Sequence, residues 1–444
     1  MYKFVFKYID MKYLPIDKNL FVKNRTKFMA AMKPKSIAIF NSNDIYPIGA
    51  DSTIPFQQAR DLFYLTGADQ EETVLLLFPD AHEEKHREVL FVRETNEHIA
   101  IWEGEKLSKE KAFEISGVRT VYWLSEFEKI FFELMTEADT VYFNTNEHYR
   151  GGLAVETETR EDRFIKWCKE KFPAHKWEKS NPVMHQLRGV KEIEETAILK
   201  HACEITEKGF KRVLNFVKPG VMEYEIEAEY MHEFLRNRSR GFAYTPIIAS
   251  GFNACVLHYI ENNQECKDGD MLLMDVGAEY ANYSSDMTRT IPVNGRFTQR
   301  QKDVYNAVLR VKKEATKMLV PGTILKEYHK EVGKFMTFEL LELGLLDKAD
   351  VQNENPEWPA YKKYFMHGTS HHLGLDTHDY GELKTPIKSN MIFTVEPGIY
   401  IPDENLGIRL EDDVVVQESG EPINLMKNIP IEVGEIEEYM NNKK

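Results

Sequence analysis

Four acidic residues stand inside runs that otherwise read as apolar strands: Asp275 in "DMLLMDVGAEY", Asp286 in "YSSDMTRTIPV", Glu396 in "NMIFTVEPGIYI" and Glu411 in "GIRLEDDVVV". A carboxylate at such a position is costly unless it is paired, hydrogen-bonded or bound to a metal, so any fold for this chain must give the four a shared solution. The first two runs are separated only by turn residues around "ANYS", which predicts a hairpin that brings Asp275 and Asp286 together. All four are expected to line one sheet. Clustered without cations they would repel one another and hold protons; a pair of divalent ions removes that difficulty. Oxygen-rich ligation with one imidazole suits manganese first, with cobalt, iron and zinc also compatible. Two ions about 3.5 to 4 Å apart can share a bridging water and present hydroxide to a polarised carbonyl. For any one of the four taken alone, a strand-end cap or an Arg partner on a solvated edge is the plainer explanation.

The histidines point to the same region. "HGTSHHLGLDTHD" holds His367, His371, His372 and His378, four of the chain's fourteen. Metal binding, substrate positioning and a plain wet loop all remain open for them on composition alone. Arg409 stands two residues before Glu411, so on a strand both side chains face the same way, where the guanidinium can neutralise carboxylates and hold substrate.

The rest of the chain sets the frame. Its 444 residues suggest two domains, and 42% hydrophobic with 29% charged residues is the mix of a soluble globular protein. "SIAIFNS", "TVLLLFP", "EVLFVRE" and "TVYFNT" read as strands between helices, a small α/β domain over residues 1–178. In "QQARDLFYLTG" a helix is expected to stop at Gly67. Beyond a Pro-interrupted polar stretch, residues 179–444 read as α+β, an antiparallel sheet flanked by helices that begin with the amphipathic run Ile193, Ala197, Ile198, Ala202 and Ile205. A net charge of −15 excludes a phosphate-backbone binder. No apolar stretch approaches a membrane span, and the N-terminus lacks a signal-peptide pattern, so a cytoplasmic protein is expected, with Met11 as a second candidate start. Cys168, Cys203, Cys255 and Cys266 form no CxxC pair and are expected to be buried free thiols.

Taken in order, Asp275, Asp286, His371, Glu396 and Glu411 within "MDVGAEYANYSSDMTRT", "HGTSHHLGLDTHD", "TVEPGIY" and "IRLEDD" resemble the ligand set of the pita-bread metallopeptidases, most nearly the Xaa-Pro aminopeptidases (aminopeptidase P). The resemblance is specific over residues 190–425 and extends to "DLFYLTG" in the first domain. It implies a C-terminal pita-bread catalytic domain behind an aminopeptidase P N-terminal type domain, and metal-dependent release of the N-terminal residue from peptides with proline in second position. It implies that Asp275 chelates one ion, His371 and Glu396 the other, that Asp286 and Glu411 bridge both, and that Glu396 shuttles the proton from water to the leaving nitrogen. His258 in "VLHYIEN" and His378 resemble the pair that flanks the substrate; His367, Tyr400 and Arg409 resemble further substrate contacts. Trp102 resembles a tryptophan that reaches a neighbouring subunit's proline pocket, although a core aromatic would read the same way. A homodimer or homotetramer is implied with it.

The sequence departs from the family at His372, where many members carry Trp, and a loop histidine facing water is the reading taken for it. Prolidase, restricted to Xaa-Pro dipeptides, shares the five ligands and is the nearest alternative function. A metal-free binding module and a metal-free creatinase also use this scaffold; the intact ligand set disfavours both.

Overall fold

The computed structural model describes residues 12–145, 147–148 and 157–442. The chain divides into two compact units, one of Pro15–Leu187 and the other of Arg188–Lys444 with the segment that ends at Leu14.

The first unit is built on a six-stranded mixed sheet of β1 (Ser36–Asn41), β2 (Val74–Leu77), β3 (Glu88–Val92), β4 (Thr120–Trp123), β5 (Thr140–Phe143) and β6 (Lys176–Lys179), in the order β4-β3-β2-β1-β5-β6. Pairs β1/β2 and β2/β3 are antiparallel and the remainder parallel. The four apolar runs are β1, β2, β3 and β5. Strands β4 and β6 escaped sequence reading because "TVYW" and "KWEK" are short and only half-buried. The helix Arg60–Thr66 ends at Gly67, whose φ of +66° and whose added Cβ, 2.3 Å from the Phe21 ring, both demand glycine.

The second unit carries helices α1 (Ile193–Phe216), α2 (Glu223–Arg236), α3 (Gln299–Lys317) and α4 (Leu325–Glu342) around short antiparallel sheets. One sheet orders β7 (Ile247–Ser250), β8 (Met271–Val276) and β9 (Met287–Pro292); a second pairs β10 (Ile392–Val395) with β13 (Asp412–Val415), and a third pairs β11 (Gly398–Ile401) with β12 (Leu406–Arg409). The expected hairpin is present as β8/β9, with Asp275 opposite Thr288 and Val276 opposite Met287. It turns at Ala281 and Asn282, both at positive φ, as a tight hairpin turn requires.

The four acids do not share one sheet. Only Asp275 lies inside a strand; Asp286 precedes β9, Glu396 sits between β10 and β11, and Glu411 between β12 and β13. The latter two are the corners at which the chain leaves one sheet for another. Apolar strand residues beyond each corner hide the break, so the period alone reads through it.

Among the described residues no helix is long and apolar enough to cross a membrane. Cys168, Cys203 and Cys266 are buried free thiols, and Cys255 is partly exposed.

Candidate metal centre

The corners aim the acids at one point. Glu411 donates its backbone N–H to Thr288 O at 3.0 Å, and Glu396 donates its own to Thr369 O at 2.8 Å. The second bond, with Thr394 N–H donating to His371 O at 3.0 Å, lays the His371 segment along β10 and so brings His371 to Glu396. Asp286 N–H donates to the buried carboxylate of Asp413 at 3.0 Å, which fixes the end of the hairpin. One ligand atom each from Asp286, His371 and Glu411 lies within 4.8 Å of the others. All three residues are buried.

Hydroxyls and one guanidinium trim the cluster. The Tyr244 hydroxyl stands 2.6 Å from Asp275 Oδ1 and 2.5 Å from Asp286 Oδ1, one proton serving two carboxylates. Thr288 Oγ1 donates to Glu411 Oε2 at 2.7 Å and accepts from Arg409 Nε at 3.1 Å. Arg409 also donates to Asp275 Oδ2 at 2.7 Å and to the Tyr400 hydroxyl at 2.8 Å. Arg409 is buried, and the same-side argument for Arg409 and Glu411 ends in a shared partner, Thr288.

One cation cannot balance four acids. Burial and the charge of Asp275 push the Asp286 carboxyl well above the usual carboxylate range; burial, Asp286 and Glu396 do the same to Glu411. Burial pushes Glu396 up to about 7. His371 sharpens the point. Its Nδ1 lies 3.0 Å from the carbonyl oxygen of His372 and so carries the proton, which turns the lone pair of Nε2 toward Asp286 Oδ2 at 3.4 Å and Glu396 Oε1 at 3.7 Å. A lone pair facing carboxylates is a donor set awaiting a cation, and the residues fit divalent metal.

Three of the remaining predicted residues, His367, Tyr400 and His378, border this cluster. His367 accepts from the Tyr400 hydroxyl at Nε2 and faces Gly368 O with Nδ1, both at 2.8 Å; burial and the Arg409 charge lower its pKa to about 3, with a further push from His258. Tyr400 is buried. The His378 ring stands edge-on to His371 with centroids 4.5 Å apart, and both His378 and His258 are exposed. Trp102, on the helix Glu97–Glu103, is 77% exposed, which overturns the core reading for it. The water-facing reading of His372 is also corrected: it is 3% exposed and packs on Phe393 with ring centroids 4.4 Å apart, because its backbone bridges to Phe393 and turns the side chain inward.

Sequence reasoning missed Tyr244, Thr288 and Asp413. Tyr244 lies in "FAYTPI", where nothing local marks it, and Thr288 is an ordinary strand residue. Asp413 carried a signal, as the third acid of "LEDD" before an apolar run.

Comparison with known proteins is consistent with this geometry. The model of metallopeptidase family M24 matches residues 197–418, and that of the aminopeptidase P N-terminal domain matches residues 21–142. The Xaa-Pro aminopeptidase of Escherichia coli is 37% identical over 441 residues, covering 96% of this chain and 98% of its own. Human Xaa-Pro aminopeptidase 3 is 30% identical, with 89% of this chain and 79% of the relative covered. Zinc-substituted E. coli aminopeptidase P in complex with product superposes with a TM-score of 0.86 at 34% identity, covering 96% of this chain and 99% of that one. Proline aminopeptidase P II from Yersinia pestis gives 0.84 at 33%, covering 95% and 99%.

Proposed function

Because the chain belongs to metallopeptidase family M24 and is a metal-dependent Xaa-Pro aminopeptidase by its kinship to that family's aminopeptidase P members, we propose how its own residues divide the work. Two divalent ions, manganese by preference, would be held by Asp275, Asp286, His371, Glu396 and Glu411. Bound there, the ions supply Lewis acidity toward the scissile carbonyl and acidify the attacking water.

The protein's groups do the rest. Glu396 takes the proton of the attacking water on its carboxylate and delivers it to the proline nitrogen. Unprotonated, that nitrogen would have to leave as an amide anion, so it takes the proton as the C–N bond breaks. His258 and His378, both exposed and the latter edge-on to His371, donate to the scissile carbonyl as negative charge grows on its oxygen. Arg409 holds Asp275 and, through Tyr400, orients His367, so the wall of the proline pocket keeps its shape. Of the two units, Pro15–Leu187 forms the N-terminal domain and the one that begins at Arg188 the catalytic domain. Trp102, exposed on its helix, serves a second copy of the chain in a cytoplasmic homodimer or homotetramer.

The observation that carries the reading is the His371 Nε2 lone pair set 3.4 Å from Asp286 Oδ2. The test is release of free amino acid from an Xaa-Pro-Yaa-Yaa tetrapeptide and from an Xaa-Pro dipeptide, after chelation and with manganese restored. Metal-dependent cleavage of the tetrapeptide is expected; cleavage of the dipeptide alone would make prolidase the better reading. Elemental analysis of the reloaded protein should give two ions per chain.

A further inference from the structure

Glu223 opens α2 and is completely buried, yet the reaction outlined above does not use it. Its carboxylate accepts four hydrogen bonds. Ser250 donates its N–H and its hydroxyl to Oε1 at 2.8 and 2.7 Å; the Tyr259 hydroxyl and the N–H of Gln264 donate to Oε2 at 2.7 and 2.9 Å. The backbone closes the same contact from the other side, with Glu223 N–H donating to Gln264 O at 2.9 Å. One side chain thus ties the end of β7 to the far end of the loop that carries His258.

A second tie reinforces it. Asn262 accepts from Ile248 N–H and donates to Pro246 O, both at 3.0 Å. Between the ties, Leu257 and Tyr259, the immediate neighbours of His258, pack in one apolar cluster with Tyr400, the residue whose hydroxyl bonds Arg409 and His367. With both neighbours anchored inward, His258, on the turn that Tyr259 N–H closes to Val256 O at 3.2 Å, is left facing out. All four bonds end on its two carboxylate oxygens, so the anchor works as an acceptor. A glutamine there would turn an N–H against donors.

We propose that Glu223 is a positioning residue for His258, fixing through Tyr259, Ser250 and Gln264 where the imidazole meets the scissile carbonyl. The proposal rests on the reading of His258 as a donor to that carbonyl and adds the group that places it.

The test compares kcat, KM and bound metal for Glu223→Gln, His258→Ala and the double variant, in the manganese-loaded full chain with an Xaa-Pro-Yaa-Yaa tetrapeptide. Glu223→Gln is expected to lower kcat on the order of 10- to 100-fold at unchanged metal content, the scale set by misplacing a reacting group. The double variant should be no slower than His258→Ala alone, within about twofold, since groups acting through one another are not additive. Losses that multiply, or a Glu223→Gln variant with full kcat, overturn the positioning role and leave the His258 reading intact. A fully active His258→Ala overturns that reading and this one with it. If Glu223→Gln does not fold, Tyr259→Phe removes only one of the four donors; it should lower kcat several-fold and show the same lack of additivity with His258→Ala. Full activity in Tyr259→Phe, or multiplied losses, then counts against the proposal.

Discussion

The hydroxyl of Tyr400 stands 2.8 Å from Nε2 of His367, and it accepts from Arg409 Nη1 at the same distance. The phenol has one proton to give, so the guanidinium points that proton at His367 and holds the imidazole with its Nδ1–H toward Gly368 O. Replacing Tyr400 by Phe leaves a buried guanidinium short of an acceptor and frees the His367 ring. A hydrogen bond to a charged group contributes about 1.5–3 kcal/mol, so kcat/KM should fall by roughly 10- to 100-fold. Steady-state kinetics on the tetrapeptide would check it; an unchanged kcat/KM would remove Tyr400 from the proposed pocket.

Asp286, a proposed metal ligand, is expected to trade stability for function. Burial and Asp275 hold its carboxyl far from its ordinary range, so Asp286→Asn removes a repulsion and offers an N–H to the Nε2 lone pair of His371. After chelation, the Asn variant should melt at a higher temperature than the parent. Asp286→Ala should lose hydrolysis while its far-ultraviolet circular dichroism is retained. Full activity in either variant would sink the two-ion assignment.

The outline of this centre was legible in the sequence because Asp275 and Asp286 break strand patterns that a two-residue turn then pairs. Glu396 and Glu411 were found by the same oddity but misread in place. Each sits at a corner between sheets, and a corner between two apolar strands has no period of its own. Tyr244 and Thr288 could not be read at all: each becomes special only when a partner distant in sequence arrives, Asp286 for the first and Glu411 for the second. His372 was misassigned for the opposite reason, since the polar neighbours that suggested a wet loop say nothing about Phe393 beneath it.

Divalent metal should stabilise as well as activate. Ligands that meet only in the folded chain bind metal there and not in the unfolded one, a linkage that gives about 2.7 kcal/mol at 100 times Kd. Thermal melts at rising manganese should therefore shift upward without limit until aggregation intervenes, and a melt indifferent to metal would contradict the assignment of buried ligands.

A pH dependence follows from Glu195, in the first turn of α1. Burial pushes its carboxyl up to about 7, although it accepts from Glu192 N–H at 2.9 Å and from the Tyr283 hydroxyl at 3.0 Å. Between the ordinary carboxylate value and about 7 the folded chain holds a proton that the unfolded chain has lost, so folding stability declines as pH rises through that window. Glu195→Gln imitates the protonated form and escapes the decline. Its melting temperature relative to the parent should therefore climb between pH 5 and pH 8, by an amount worth at most ~3 kcal/mol. Parallel melts at the two pH values test it, and a constant offset would show that Glu195 is ionised throughout.

Gly277 lies between the two acids of the hairpin, where a Cβ would come within 1.7 Å of Ser285 O and 3.2 Å of the Tyr244 ring. Those are backbone and aromatic atoms, not the loose end of a side chain, so an alanine cannot be accommodated by a rotamer change. The carbonyl that must move belongs to the residue before Asp286, and the ring that must move carries the hydroxyl shared by Asp275 and Asp286. Gly277→Ala should therefore lose about 3 kcal/mol of stability, at the upper end of overpacking costs, and bind manganese more weakly than the parent even at temperatures where it is fully folded. Calorimetric titration of the chelated variant reads the second effect apart from the first. Parent-like affinity in a destabilised variant would mean that the hairpin yields at Ser285 without disturbing the acids.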